Sequence, residues 1–167
     1  MLRYIGIFAV FISMCLFGVY LVSRMSQRIK CLQGICEMLT FFKSSISYTM
    51  PYLHEMLRDC NIPQTKELTC SMADKLALNE DITFAAEESV CSTKALSVLG
   101  NEEKRALITV LSKLGTTDLF DQSEMLENAQ KRFSEFLARA AEEKDKNAKV
   151  SLTVCIYIGL AFLVMVI

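Results

Sequence analysis

Tryptophan is missing from this sequence of 167 residues, histidine occurs once, and proline and glycine number only two and six. Each scarcity excludes something. A single histidine, His54, rules out His-x-x-x-His metal sites and leaves a cysteine-histidine couple as the one nucleophilic arrangement it could join. So few turn formers, with β-branched alternation nearly absent, leave strands without support and point to helices. Neither a Gly-x-x-x-x-Gly-Lys loop nor a Gly-x-Gly-x-x-Gly turn occurs, so the common phosphate cradles are excluded and any nucleotide-driven work has to be supplied by a partner. A formal net charge of −1 with no basic stripe argues against nucleic acid.

Long hydrophobic runs are present. Val150 to Ile167 holds 18 residues without a charge, and a helix of that length covers roughly 27 Å, close to the hydrocarbon core of a bilayer. Tyr4 to Val22 is a second uncharged run long enough to cross. It exceeds the usual signal-peptide core and no small-x-small site follows it, which favours an uncleaved anchor. Between the runs lie all 19 acidic and 17 of the 18 basic residues, a net −2, in a segment large enough for one modest domain. Arg24, Arg28 and Lys30 follow the first run and Lys144, Lys146 and Lys149 precede the second, so the positive-inside rule places the centre in the cytoplasm and both termini on the far side. Seven cysteines, an odd number without framework spacing, suit free thiols in a reducing compartment.

Within the centre, Ile29, Leu32, Ile35 or Cys36, Leu39, Phe42 and Ile46 recur at three- and four-residue steps, an amphipathic helix continuing the first anchor. Met50 before Pro51 marks its end. Pro51 is expected to open a short helix with Tyr52, Leu53, Met56 and Leu57 on one face, and Pro63 another burying Leu68, Met72, Leu76 and Leu78. Asp81 heads a further helix through Phe84, Ala85, Val90 and Leu96. Asn101 is the expected N-cap of a helix that buries Leu107, Val110, Leu111 and Leu114, carries acids in its first turn and stops at a left-handed Gly115. From Thr117 onward nothing breaks helix: Leu119, Gln122, Leu126, Ala129, Phe133, Leu137 and Ala140 repeat at three and four, and Glu127 with Lys131 and Glu135 with Arg139 are favourably spaced. The expected fold is all-α: a helical bundle domain at 23–149 between transmembrane helices at 4–22 and 150–167, the last helix continuous with its anchor.

No constellation demands chemistry. Cys31 and Cys36, five apart in "CLQGIC", point about 140° apart on a helix and read as small buried hydrophobes. The charged "EEKDK" from Glu142 to Lys146 reads as a solvated collar beside an anchor, and His54 as an ordinary helix residue. No catalytic residue, cofactor or metal is expected. The turns at Gly100, Asn101, Gly115 and Thr116 are the candidate partner-facing positions, taken to lie at the end of the domain away from the membrane.

Three stretches carry a family likeness. "ISYTMPYLHE", with Ile46, Tyr48, Pro51 and Leu53, is similar to an Ile-x-Tyr segment that closes on Pro-Leu in the stage III sporulation protein AB family. "LGTTDLFDQ", with Leu114, Gly115, Asp118 and Gln122, resembles that family's Leu-Gly-x-x-Asp-x-x-x-Gln turn, and "IYIGLAFLVMVI" its closing anchor. Tyr52, intruding between Pro51 and Leu53, and Ser45, in place of an acid, depart from the pattern, as does the lack of a tryptophan near Ala86. The resemblance implies a mother-cell membrane protein around the forespore, within a sporulation channel apparatus. It further implies a domain related to the type II secretion platform protein and a secretion-type ATPase, stage III sporulation protein AA, as partner among other channel components. The function expected is a non-enzymatic platform in the lipid bilayer. Two alternatives stand beside it: a membrane thiol or redox protein using some of Cys31, Cys36, Cys60, Cys70 and Cys91, and a self-associating scaffold, a homo-oligomer without an ATPase.

Overall fold

A computed structural model describes the backbone of residues 2–48, 52–116 and 118–166; side chains of residues 2–11, 14–15, 17, 21, 48, 119, 147–152, 154–156 and 158–166 fall outside the description. Its elements are α1 (Leu2–Tyr48), α2 (Leu53–Asp59), α3 (Lys66–Ala77), α4 (Ile82–Ser92), a 3-10 helix at Lys94–Val98, α5 (Asn101–Lys113) and α6 (Leu119–Val166). Among the described residues there is no strand, so the chain is all-α. Two compact units emerge: Arg28–Ala138, and the paired segments Met1–Gln27 and Arg139–Ile167. Among the described residues no helix is long and apolar enough to cross a membrane. Most side chains of the runs 4–22 and 150–167 lie outside that description.

The unit Arg28–Ala138 holds the core. Along α1, Leu32, Ile35, Leu39, Phe42 and Ile46 are buried at alternating three- and four-residue steps; along α6, Gln122, Leu126, Ala129, Phe133 and Phe136 follow the same rhythm. That spacing is the seam of packed parallel or antiparallel helices. The two helices run antiparallel, since Lys43 pairs with Glu127 at 3.0 Å while Thr40, one turn earlier, accepts from Gln130 at 2.9 Å. Across this pair, α2 packs on α3, α3 on α4 and α4 on α5, enclosing Leu57, Leu68, Met72, Leu96, Leu107 and Leu111.

Local chemistry sets the boundaries. Asp81 caps α4, its Oδ2 accepting from the amides of Thr83 (3.1 Å) and Phe84 (3.4 Å). Asn79, in the left-handed region at φ 59°, turns the chain out of α3. Gly34 is required by a close approach: a Cβ there would lie 2.6 Å from Gln64 Cβ, so the loop before α3 rests directly on α1.

Several expected positions are corrected. Pro51 and Met50 lie outside the described residues, and α2 starts at Leu53, leaving Tyr52 outside it and 75% exposed. Pro63 begins a turn, not a helix; α3 starts at Lys66, whose amide donates to the Ile62 carbonyl at 2.8 Å. Leu78, past the end of α3, is 74% exposed, and Phe84 is turned outward. The reason is the company α4 keeps: its inner face is Ala85, Ala86, Ser89 and Val90, and Ser89 and Ser71 hydroxyls meet at 3.3 Å, an approach between α3 and α4 that suits small residues. Leu96 is buried, but from the 3-10 helix after α4 has ended.

Candidate functional site

The two internal stretches singled out in the sequence converge. α5 ends at Lys113, Leu114 is fully buried, and Gly115 turns the chain at φ +78°. A Cβ on Gly115 would sit 3.3 Å from Leu53 Cδ2, so the first residue of α2 seats against the turn. Ile46 is buried near the end of α1, and Gln122 is buried on the first turns of α6. Asp118, exposed, immediately precedes α6, and its carbonyl accepts the Gln122 amide at 2.9 Å. Tyr48's side chain, Pro51 and Thr117 fall outside the description. The "ISYTMPYLHE" and "LGTTDLFDQ" stretches therefore meet where α1 ends, α2 begins and α5 hands over to α6. Thr116, exposed, returns its hydroxyl to the Lys113 carbonyl at 2.9 Å.

Gly100 and Asn101 lie at the opposite end of α5. The N-cap is Gly100 and not Asn101, which is the first helical residue. The stabilising acceptor is Glu103, whose Oε2 takes the Gly100 amide at 2.7 Å. Glu103 is buried, and its other partner is Arg28: Nη2 donates to Oε1 at 2.6 Å and Nε to the same oxygen at 3.1 Å. A two-nitrogen grip on one carboxylate in a desolvated position is a strong, directional contact. Beside it Glu102 meets Arg132 of α6 at 3.5 Å, and the Arg132 guanidinium lies 5.5 Å from the Phe136 ring centroid. The first turn of α5 is thus tied to both long helices, at the level where α1 enters the unit Arg28–Ala138. The four turn positions do not form one surface.

Glu103 carries no mark in composition, but it does in spacing. It stands four before Leu107 and eight before Leu111, on the stripe that α5 buries, and Arg28 stands four before Leu32 on the stripe that α1 buries. Each charge extends a buried stripe by one turn.

A family model described as stage III sporulation protein AB matches residues 3–167. The chain belongs to the stage III sporulation protein AB family. No curated protein and no solved structure matches it. The family's name ties this member to sporulation, and its match spans both apolar runs as well as the helical unit.

Among the described residues three thiols are held protonated. Cys31 is buried, and burial first and the charge of Glu103 second push its thiol up to about 11. Burial likewise raises Cys60, and burial with the Glu37 carboxylate raises Cys36. Thiols held protonated in this way are poor nucleophiles. Cys70 is half-buried and Cys91 exposed. His54 is exposed and stacks on Tyr52, ring centroids 5.9 Å apart. Among the described residues no group of three or more His, Cys, Asp or Glu could hold a metal. Lys43, Glu127, Gln130, Lys131 and Ser134 line a shallow groove, in which hydrogen bonds from Lys43 and Lys131 hold the Glu127 carboxyl below its usual range.

Proposed function

We propose that this chain is a non-enzymatic membrane platform of a sporulation apparatus at the boundary between mother cell and forespore, engaging a secretion-type ATPase of the stage III sporulation protein AA kind. In this reading the runs 4–22 and 150–167 cross the mother-cell membrane surrounding the forespore, 23–149 faces the cytoplasm and both termini lie on the far side. The carrying observation is that α1 and α6, which pair in the helical unit, each continue into an uncharged run of bilayer length. Leu16, Val19, Tyr20 and Tyr157, all more than half exposed on those helices, are surface that a bilayer would cover, which supports this reading. The lack of phosphate-binding loops supports a partner that brings the nucleotide, and the raised thiols give no support to redox chemistry.

The ATPase-facing surface is the Gly115 and Thr116 end. Gly100 and Asn101 are left out of that face because the first turn of α5 is committed to Arg28 and Arg132 at the other end. The test is co-purification of the full chain in detergent with the sporulation ATPase of the same organism, with and without ATP. Stoichiometric capture supports the platform; no capture by a folded chain that runs as an oligomer favours a self-associating scaffold.

A further inference from the structure

At the Gly115 end two aromatic side chains stand in solvent. Phe120, the second residue of α6, is 80% exposed, and Tyr52, beside the Leu53 that seats on Gly115, is 75% exposed. Neither belongs to the core: the buried stripe of α6 passes through Gln122, Leu126 and Ala129. Along the first turns of α6 the charge is of one sign, while the exposed Lys113 closes α5 at the same end. Asp118, Asp121 and Glu124 are exposed, and between Leu114 and Gln130 the sequence has no basic residue. The next acid along, Glu127, differs from these three, being paired with Lys43 and Lys131.

We infer that Phe120, with Tyr52, anchors a protein partner whose contact surface is basic and offers an apolar pocket, and that Asp118, Asp121 and Glu124 form the rim that selects it. This deepens the platform reading and rests on it for the partner's identity alone. Exposed aromatics bury large apolar area at little entropic loss, and for that reason dominate protein contacts. An acidic rim repels a second copy of the same surface and an anionic lipid headgroup, while it attracts lysine and arginine. Aromatic centre and single-sign rim together therefore specify a basic protein surface.

The test places p-benzoylphenylalanine at position 120 of the full chain in sporulating cells, irradiates, and maps the crosslinked peptide. A control carries the same group at position 84, exposed on α4. The expected result is one crosslinked protein other than this chain, joined through a segment rich in lysine and arginine. Its yield should fall about tenfold or more when Asp121→Lys and Glu124→Lys are combined, with helix content unchanged by circular dichroism. Crosslinking to a second copy or to lipid, no crosslink, or a yield indifferent to charge reversal overturns the inference. The two readings fail separately. A basic partner that is not the ATPase leaves this surface standing and removes the ATPase coupling; an ATPase that co-purifies undiminished with the Phe120→Ala, Asp121→Lys, Glu124→Lys chain does the reverse.

Discussion

At the Gly100 end of α5 a carboxylate, Glu103, leaves solvent and is held by Arg28 and a backbone amide; at the Gly115 end the chain turns on a left-handed glycine seated against a leucine. The first closure depends on charge and ties helices distant in sequence. The second depends on shape and leaves its surroundings, Tyr52, Thr116, Asp118 and Phe120, in solvent. One helix of 13 residues thus has a locked end and an open one. The two ends of α5 are thus closed by different physics, and changes at each should act differently.

The largest expected effect comes from unlocking the charged end. Glu103→Ala removes the carboxylate that Arg28 grips and the acceptor of the Gly100 amide, and should destabilise by about 3 kcal/mol in urea unfolding of the full chain in detergent. The lower part of the range for broken buried pairs applies because the Arg28 side chain remains 31% exposed and partly solvated. Replacing both residues, Arg28→Met with Glu103→Met, should recover most of the loss. If Glu103→Ala alone moves stability by less than about 0.5 kcal/mol, the lock is not one.

How far this can be read from the residues differs between the two ends. Gly115 is legible as a left-handed stop because a glycine after Leu107, Val110, Leu111 and Leu114 has few other roles. The all-helical character, the stripe of α1, most of that of α6 and a helix start at Asp81 are legible for like reasons, although on α6 Phe136 and not Leu137 is buried. Spacing places Glu103 on the stripe that α5 buries, but an acid near a helix start reads first as a favourable surface charge; its burial depends on Arg28, seventy-five positions away, and no local pattern carries that pairing. Phe84 and Leu78 fail in the opposite sense. Hydropathy gives a phenylalanine more weight than Ala85, Ala86 and Ser89, yet the approach of α3 selects small residues, and α3 stops before Leu78 can join its face. Periodicity finds which positions share a face, and the neighbour decides which face goes inside.

A smaller effect sharpens the electrostatics of the locked end. Cys31, one turn after Arg28, has its thiol raised from the ordinary 9.0 to about 11, so the folded chain keeps a proton that the unfolded chain loses first. Its contribution is complete below pH 9.0 and is lost as pH rises through about 11. Over that alkaline window stability should fall by on the order of 2 kcal/mol, and Cys31→Ala should remove this part of the pH dependence. In Glu103→Gln the thiol should titrate lower, because the second cause of its shift is gone while burial, the first, remains. An unchanged Cys31 titration in Glu103→Gln would show that the carboxylate does not reach the thiol.

The smallest expected effect distinguishes the glycines themselves. Gly100 sits at φ −69°, ψ 161°, a conformation open to every residue, and a methyl added there would meet only the Glu103 carboxylate, at 3.6 Å. Gly100→Ser should therefore be neutral or stabilising by about a few tenths of a kcal/mol, since serine is the better N-cap. Gly115→Ala faces both a left-handed backbone and the Leu53 methyl, and should destabilise by about 1–2 kcal/mol. Unfolding midpoints of the two variants compared at equal urea slope decide the matter. Should Gly115→Ala prove as benign as Gly100→Ser, the open end would owe nothing to its glycine, and the joining of the two family stretches would have to rest on Leu53, Leu114 and Ile46 alone. Should it destabilise while Phe120→Ala does not, closure of that end and its surface aromatics are separable, which is the condition for a face that can be altered for a partner without altering the fold.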